Sequence, residues 1–125
     1  MKLLTKEIEE KFKKYPIGSQ EGKGLNAKVL VKFFNPAGAG TWFILEAEKM
    51  DDGDYEMYGY CHLGDDDLAE FGYVMLSELQ EFKGTFGLGI ERDKFLGDVT
   101  LEEAFKKTGI EIPAWLREDD EDDVG

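Results

Sequence analysis

A chain of 125 residues that is 42% hydrophobic and 13% aromatic predicts one folded domain, and that apolar content excludes a disordered chain despite its high charge. A net charge of −13 excludes attraction to phosphate backbones, whether of nucleic acid or of anionic membranes, and favours basic surfaces instead. No apolar run approaches the ~20 residues that span a bilayer, and the single cysteine, Cys61, cannot form an internal disulfide.

The charge is segregated along the chain. Residues 1–34 carry eight lysines against four glutamates, and residues 46–70 carry ten acids against Lys49. Thr5 caps a predicted helix from Lys6 to Tyr15, with Leu4, Ile8 and Phe12 as its apolar stripe. Pro16 and Gly18 end it, and Ser19–Gly24 is polar and glycine-rich, hence a flexible loop.

Four strands are predicted next. Ala27–Phe34 alternates, with Val29, Val31 and Phe33 on one side and Lys28 and Lys32 on the other. Residues 36–40 form a turn, and Thr41–Ala47 is a second strand rich in β-branched and aromatic residues. Asp51–Asp54 holds Asp-Gly at its centre, the residue pair of a hairpin turn. Tyr55–Leu63 and Glu70–Leu76 follow, joined by a turn at Gly64–Asp67. Three short connections in succession predict a consecutive antiparallel meander.

Ser77 to Gln80 matches a capping box and opens a short helix that Gly84 closes. Thr85–Gly97 is irregular and glycine-rich, with a short extended piece at Ile90–Phe95. Thr100 and Glu103 form a second capping box, opening a helix that runs through Lys107 and stops at Gly109. Ile110–Leu116 folds back on the core as an apolar epilogue. The expected class is α+β: a four-stranded antiparallel meander with the N- and C-terminal helices packed on one face. The expected organisation is one domain over residues 1–116 and a disordered acidic tail over 117–125, with six consecutive acids from Glu118 to Asp123.

Several pieces in a fixed order carry a resemblance. They are the opening MKLLTKEI, VKFF followed by Pro36, Thr41-Trp42, FGY with LSEL from Phe71 to Leu79, and GLGIERD with Phe95. Together these resemble the bacterial family catalogued as domain of unknown function 2958, over roughly residues 1–105. Gly89 stands where that pattern has proline, and the acidic tail lies outside it. The resemblance implies a small protein of plasmids and integrating elements, encoded near DNA-processing genes. It implies no activity, cofactor or catalytic residue.

Candidate sites are sparse. His62 and Cys61 are neighbours on one strand, so their side chains point to opposite faces and do not form a nucleophile–base pair. The alternation puts Cys61 with Tyr55, Met57 and Gly59 on the core face, and His62 with Glu56, Tyr58 and Tyr60 on the outer one. The acidic turns lack EF-hand spacing. The segment Gly84–Arg92 lacks the lysine of a phosphate loop. No catalytic residue, metal or cofactor is therefore expected.

Two interaction surfaces remain. One is the loop trio Glu91, Arg92 and Asp93, in which an arginine flanked by acids serves either as an internal anchor or in recognition. The other is an outer sheet face bearing Trp42, Ile44, Tyr58, Tyr60 and His62, exposed only if helices cover one face alone. The expected function is that of a cytoplasmic, non-enzymatic protein that binds a partner protein with a basic surface, without direct contact to nucleic acid or membrane. The first alternative is an acidic DNA mimic that inhibits a restriction or CRISPR nuclease. The second is an enzyme with a site near Arg92.

Overall fold

The computed structural model describes residues 2–117, and the expected tail, apart from its first residue Arg117, lies outside the described residues. Helix α1 (Lys6–Lys14) starts where Thr5 accepts the Ile8 N–H on its hydroxyl at 3.2 Å. The strands are β1 (Val31–Phe34), β2 (Thr41–Lys49), β3 (Tyr55–His62), β4 (Glu70–Met75) and β5 (Glu91–Arg92). Helix α2 (Leu76–Glu81) follows β4 directly, and α3 (Leu101–Thr108) follows β5. A helical turn at residues 114–117 closes the described chain. The class is α+β, with one antiparallel sheet in the order β4-β3-β2-β1-β5.

Two expectations are corrected. The sheet has five strands, because the extended piece at Ile90–Phe95 pairs with β1 through Phe33–Arg92 and Phe34–Glu91. The helices also do not share a face. Ile8 and Phe12 of α1 and Leu76 and Leu79 of α2 pack with Phe33, Ile44 and Met57. Leu101, Ala104 and Phe105 of α3 pack with Phe43, Leu45 and Tyr60. Phe43 and Ile44 are adjacent in β2, so these two clusters lie on opposite faces of the sheet. The physical reason is in β2 itself: Phe43, Ile44 and Leu45 are buried in succession, as in a strand covered on both sides.

Local differences have local causes. The predicted first strand begins late because residues 27–30 turn toward the segment before α3. Val29 N–H donates to the Val99 carbonyl at 3.0 Å, and Leu101 N–H to the Ala27 carbonyl at 2.8 Å. Helix α2 starts one residue before the expected box. The Glu78 carboxylate takes the Met75 N–H at 3.2 Å, while Ser77 donates its hydroxyl to Asp54 at 2.5 Å. The second capping box forms as expected. Thr100 accepts the Glu103 N–H at 3.3 Å, and Glu103 accepts the Thr100 N–H at 3.0 Å. Gly109 ends α3 in the left-handed region at φ 79°.

Candidate functional site

The site begins with an irregularity in β2. Ile44 opposes Gly59 and Glu46 opposes Tyr58, so Leu45 is an extra residue, a bulge. The Leu45 carbonyl accepts a 2.7 Å hydrogen bond from Gln20 Nε2. The same amide nitrogen donates to the Lys28 carbonyl at 2.8 Å, and Gln20 Oε1 accepts the Lys28 N–H at 2.7 Å. The Glu46 carboxylate accepts the N–H of Gly18 at 2.7 Å and of Gln20 at 2.8 Å. Gln20 and Glu46 are both buried and fully engaged in this network. It pins the loop 16–24 over the sheet, where the sequence alone predicts a flexible connection.

The pinned loop forms one wall of a groove of about 580 Å³. Tyr58 of β3 and Phe71 and Tyr73 of β4 make its floor, and Trp115 of the final turn makes the opposite wall. The four rings form a connected set. Tyr58 stacks near Phe71 at 6.0 Å, Tyr73 meets Tyr58 edge-on at 5.0 Å, and Trp115 meets Phe71 at 5.8 Å. Tyr73 is 63% exposed and Trp115 45%, so the groove opens to solvent. Glu21 and Glu46 supply its charge. The Tyr58 phenol is held above its ordinary pKa, first by burial and then by Glu46, Tyr73 and Glu21. Glu46 is its cross-strand neighbour, and Glu21 lines the same groove. Aromatic faces with carboxylates beside them suit a cationic side chain, a guanidinium or an ammonium.

The sequence-predicted residues divide around this groove. Tyr58 lies in it. Tyr60 is on the same face but beneath α3, fully buried against Phe105 and Phe71. Its hydroxyl has no hydrogen-bond partner among the described residues, and burial first, then Asp66, raises its pKa. His62 continues that face. Its Nε2 lies 2.6 Å from Asp66, and its Nδ1 accepts the Gly64 N–H at 3.2 Å, which leaves the ring proton of the neutral form on Nε2, facing Asp66. Cys61 points the other way, and burial, with Glu70 adding to it, pushes its thiol up to about 11. Trp42 packs on the α1 face, beside the bend at Gly40.

Arg92 lies on the opposite edge of the sheet, donating to the Lys2 carbonyl at 2.5 Å. It lines a cleft of about 340 Å³ with Ile8, Lys11, Asp93 and Asp98. Asp93, one of the acids that sequence adjacency offers to Arg92, pairs with Lys32 at 3.3 Å instead. Lys32 also reaches Thr108 of α3 at 3.1 Å, so this contact ties β1 and the β5 loop to the helix. Glu91 opposes Phe34 and therefore faces away from Arg92.

Sequence reasoning misses Gln20, Glu21, Glu46, Phe71 and Tyr73 as site residues, and treats Trp115 only as part of the apolar epilogue. One signal was present: Glu46 is an acid inside the apolar run Trp42–Ala47, where burial demands partners. Among the described residues, no group of three or more metal-ligating side chains gathers, and no helix is long and apolar enough to cross a membrane.

No curated protein and no solved structure matches the chain. A family model does, over residues 3–108, and its family is described as protein of unknown function. Most of the chain lies within that match, and the protein belongs to the DUF2958 family.

Proposed function

We propose that this chain is a non-catalytic binding protein that takes a basic segment of a partner protein into the aromatic groove. The observation that carries the reading is the groove's composition. Four partly open rings, Tyr58, Phe71, Tyr73 and Trp115, stand with the exposed Glu21 around one opening, and the buried Glu46 adds its charge from behind the pinned loop. A net charge of −13 steers a basic partner toward it. A plasmid or integrating element, the setting implied by the resemblance, encodes DNA-handling proteins whose surfaces are basic.

The alternatives fit the geometry less well. A DNA mimic needs its acids in one row. Asp51, Asp52 and Asp54 lie at one end of β3 and Asp65, Asp66 and Asp67 at the other, roughly 23 Å apart along an eight-residue strand. An enzyme built on His62 and Arg92 needs them together. They sit on opposite faces and three strand spacings apart, roughly 14 Å.

The test is capture of partners from a host lysate by the immobilised protein and by its Trp115→Ala and Tyr58→Ala variants. The expected result is a basic protein held by the wild type, released by salt, and lost from both folded variants. Equal retention by the variants overturns the groove as the binding site.

A further inference from the structure

Strand β4 is the outer strand of the sheet, and its free edge borders the groove. It pairs with β3 along its whole length, from Glu56–Met75 to Cys61–Glu70, without a bulge. On its other side, among the described residues, only the Met75 N–H is taken, by the Glu78 carboxylate at the helix junction. Edges of this kind are ordinarily blunted by lysine, proline, a bulge or a cover. The sequence Glu70–Met75 has no lysine, no proline and one charge, Glu70, at its start. At Gly72 the space that a side chain would fill is open, with nothing within 4 Å. Tyr73, the most exposed ring of the groove, sits in the middle of this strand.

We infer that the partner segment binds in extended form, as a sixth strand added to the free edge of β4, with alternate side chains that are basic and lie on the groove side. This deepens the reading of the groove as a protein-binding site and rests on it. An added strand runs about 4.8 Å from β4, and its side chains fall opposite those of β4 on each face. Those on the groove side come beside Phe71 and Tyr73, where a guanidinium stacks on the phenol ring. Asp65, Asp66, Asp67 and Glu70 lead into the strand and Glu78 and Glu81 follow it, so both ends of the edge favour positive charge. The same acids disfavour a second copy of this chain. Antiparallel pairing of two β4 edges brings the acids before one strand toward Glu78 and Glu81 after the other. Backbone pairing would supply affinity and the alternate basic side chains specificity.

The probe is a capped eight-residue peptide alternating arginine and valine, titrated into the full chain. Four companions are used: citrulline in place of arginine, lysine in place of arginine, and two versions N-methylated on one or the other alternate set of amides. Only one alternate set of a strand's N–H groups faces its neighbour. Strand addition therefore predicts that one methylated version loses at least tenfold in affinity while the other binds within about twofold. The citrulline peptide and the Tyr73→Ala variant each lose at least tenfold, and the lysine peptide binds measurably. Equal binding of both methylated versions overturns strand addition and leaves the groove reading intact. No binding at 1 mM peptide, with partner capture still lost in Trp115→Ala, has the same meaning. No binding together with capture that ignores the groove variants overturns both readings. A stable dimer whose β4 amides are protected from exchange also overturns the proposal, since the edge then holds a second copy.

Discussion

Tyr60 carries a buried hydroxyl without a partner among the described residues, inside a cluster of Phe43, Phe71 and Phe105. An unsatisfied buried hydroxyl costs about 1–3 kcal/mol, whereas the ring contributes by packing. Tyr60→Phe keeps the ring and removes the cost. The expected melting temperature is equal to or above that of the wild type, and a drop of several degrees would reveal a partner for the hydroxyl. Ser77 is the opposite case. Its hydroxyl and N–H both donate to Asp54, at 2.5 and 3.1 Å, tying the β2–β3 turn to α2. Asp54 is held below its ordinary 3.8, first by the Ser77 hydroxyl and then, against the opposing effect of burial, by the N–H groups of Tyr55 and Ser77. A carboxyl lowered in the folded state stabilises the fold above its unfolded pKa, and that stabilisation is lost as pH falls through the folded value. Ser77→Ala therefore costs up to about 1 kcal/mol at pH 7, with solvent screening setting the low end. The gap to wild type in urea melts closes below pH 3.8. A gap that persists at pH 2 would mean the serine acts by packing.

Among the elements, β3 carries a close approach that only glycine permits. A Cβ built on Gly59 would overlap the Phe43 carbonyl oxygen and lie 3.0 Å from the Ile44 Cα, both backbone atoms of β2. Gly72 directly opposes Gly59 in the ladder, yet nothing lies within 4 Å of its missing Cβ. Gly59→Ala must push β2 away and is expected to cost about 3 kcal/mol, at the upper end of overpacking. Gly72→Ala should fall within about 0.5 kcal/mol of wild type or above it, because alanine loses less entropy in a strand. Similar denaturation midpoints for the two variants would contradict this asymmetry. Neither glycine announces its role in the sequence. What was legible is what is local: the Thr100–Glu103 box, the Asp-Gly turn at Asp52–Gly53, and the alternation that separates Cys61 from His62. What was not legible depends on distant partners. Gln20 closes on Leu45 and Glu46 across some 25 residues, and the polar stretch Ser19–Gly24 reads as free loop until those partners are placed. Coverage of both sheet faces was partly written in the consecutive apolar residues Trp42–Leu45 of β2. Reading it as a strand with one exposed face put Tyr58 and Tyr60 in the same environment, whereas α3 buries one and leaves the other in the groove.

At the scale of the whole molecule, 28 acids face 15 lysines and arginines. The ion pairs among the described residues are few, and Lys13–Glu10 and Lys106–Glu102 are exposed. Exposed pairs of that kind contribute little to stability. A folded chain of this length has a radius of gyration of about 14 Å. The Debye length is ~30 Å at 0.01 M salt and ~8 Å at 0.15 M. In dilute buffer every acid therefore feels the others, including those at the two ends of β3, while at physiological salt the ends are screened from one another. Unfolding relieves this repulsion by moving the charges apart, so repulsion favours the unfolded chain. Raising sodium chloride from 0.01 to 0.15 M should then raise the melting temperature by several degrees, corresponding to about 1 kcal/mol. The Lys32–Asp93 pair works in the other direction. It is shielded from solvent and anchors the β5 loop, but shielded pairs are screened less by salt. A melting temperature that falls as salt is added would show that attractive pairs outweigh the net charge. It would also weaken the case that the acidic surface, rather than the groove alone, draws a basic partner in.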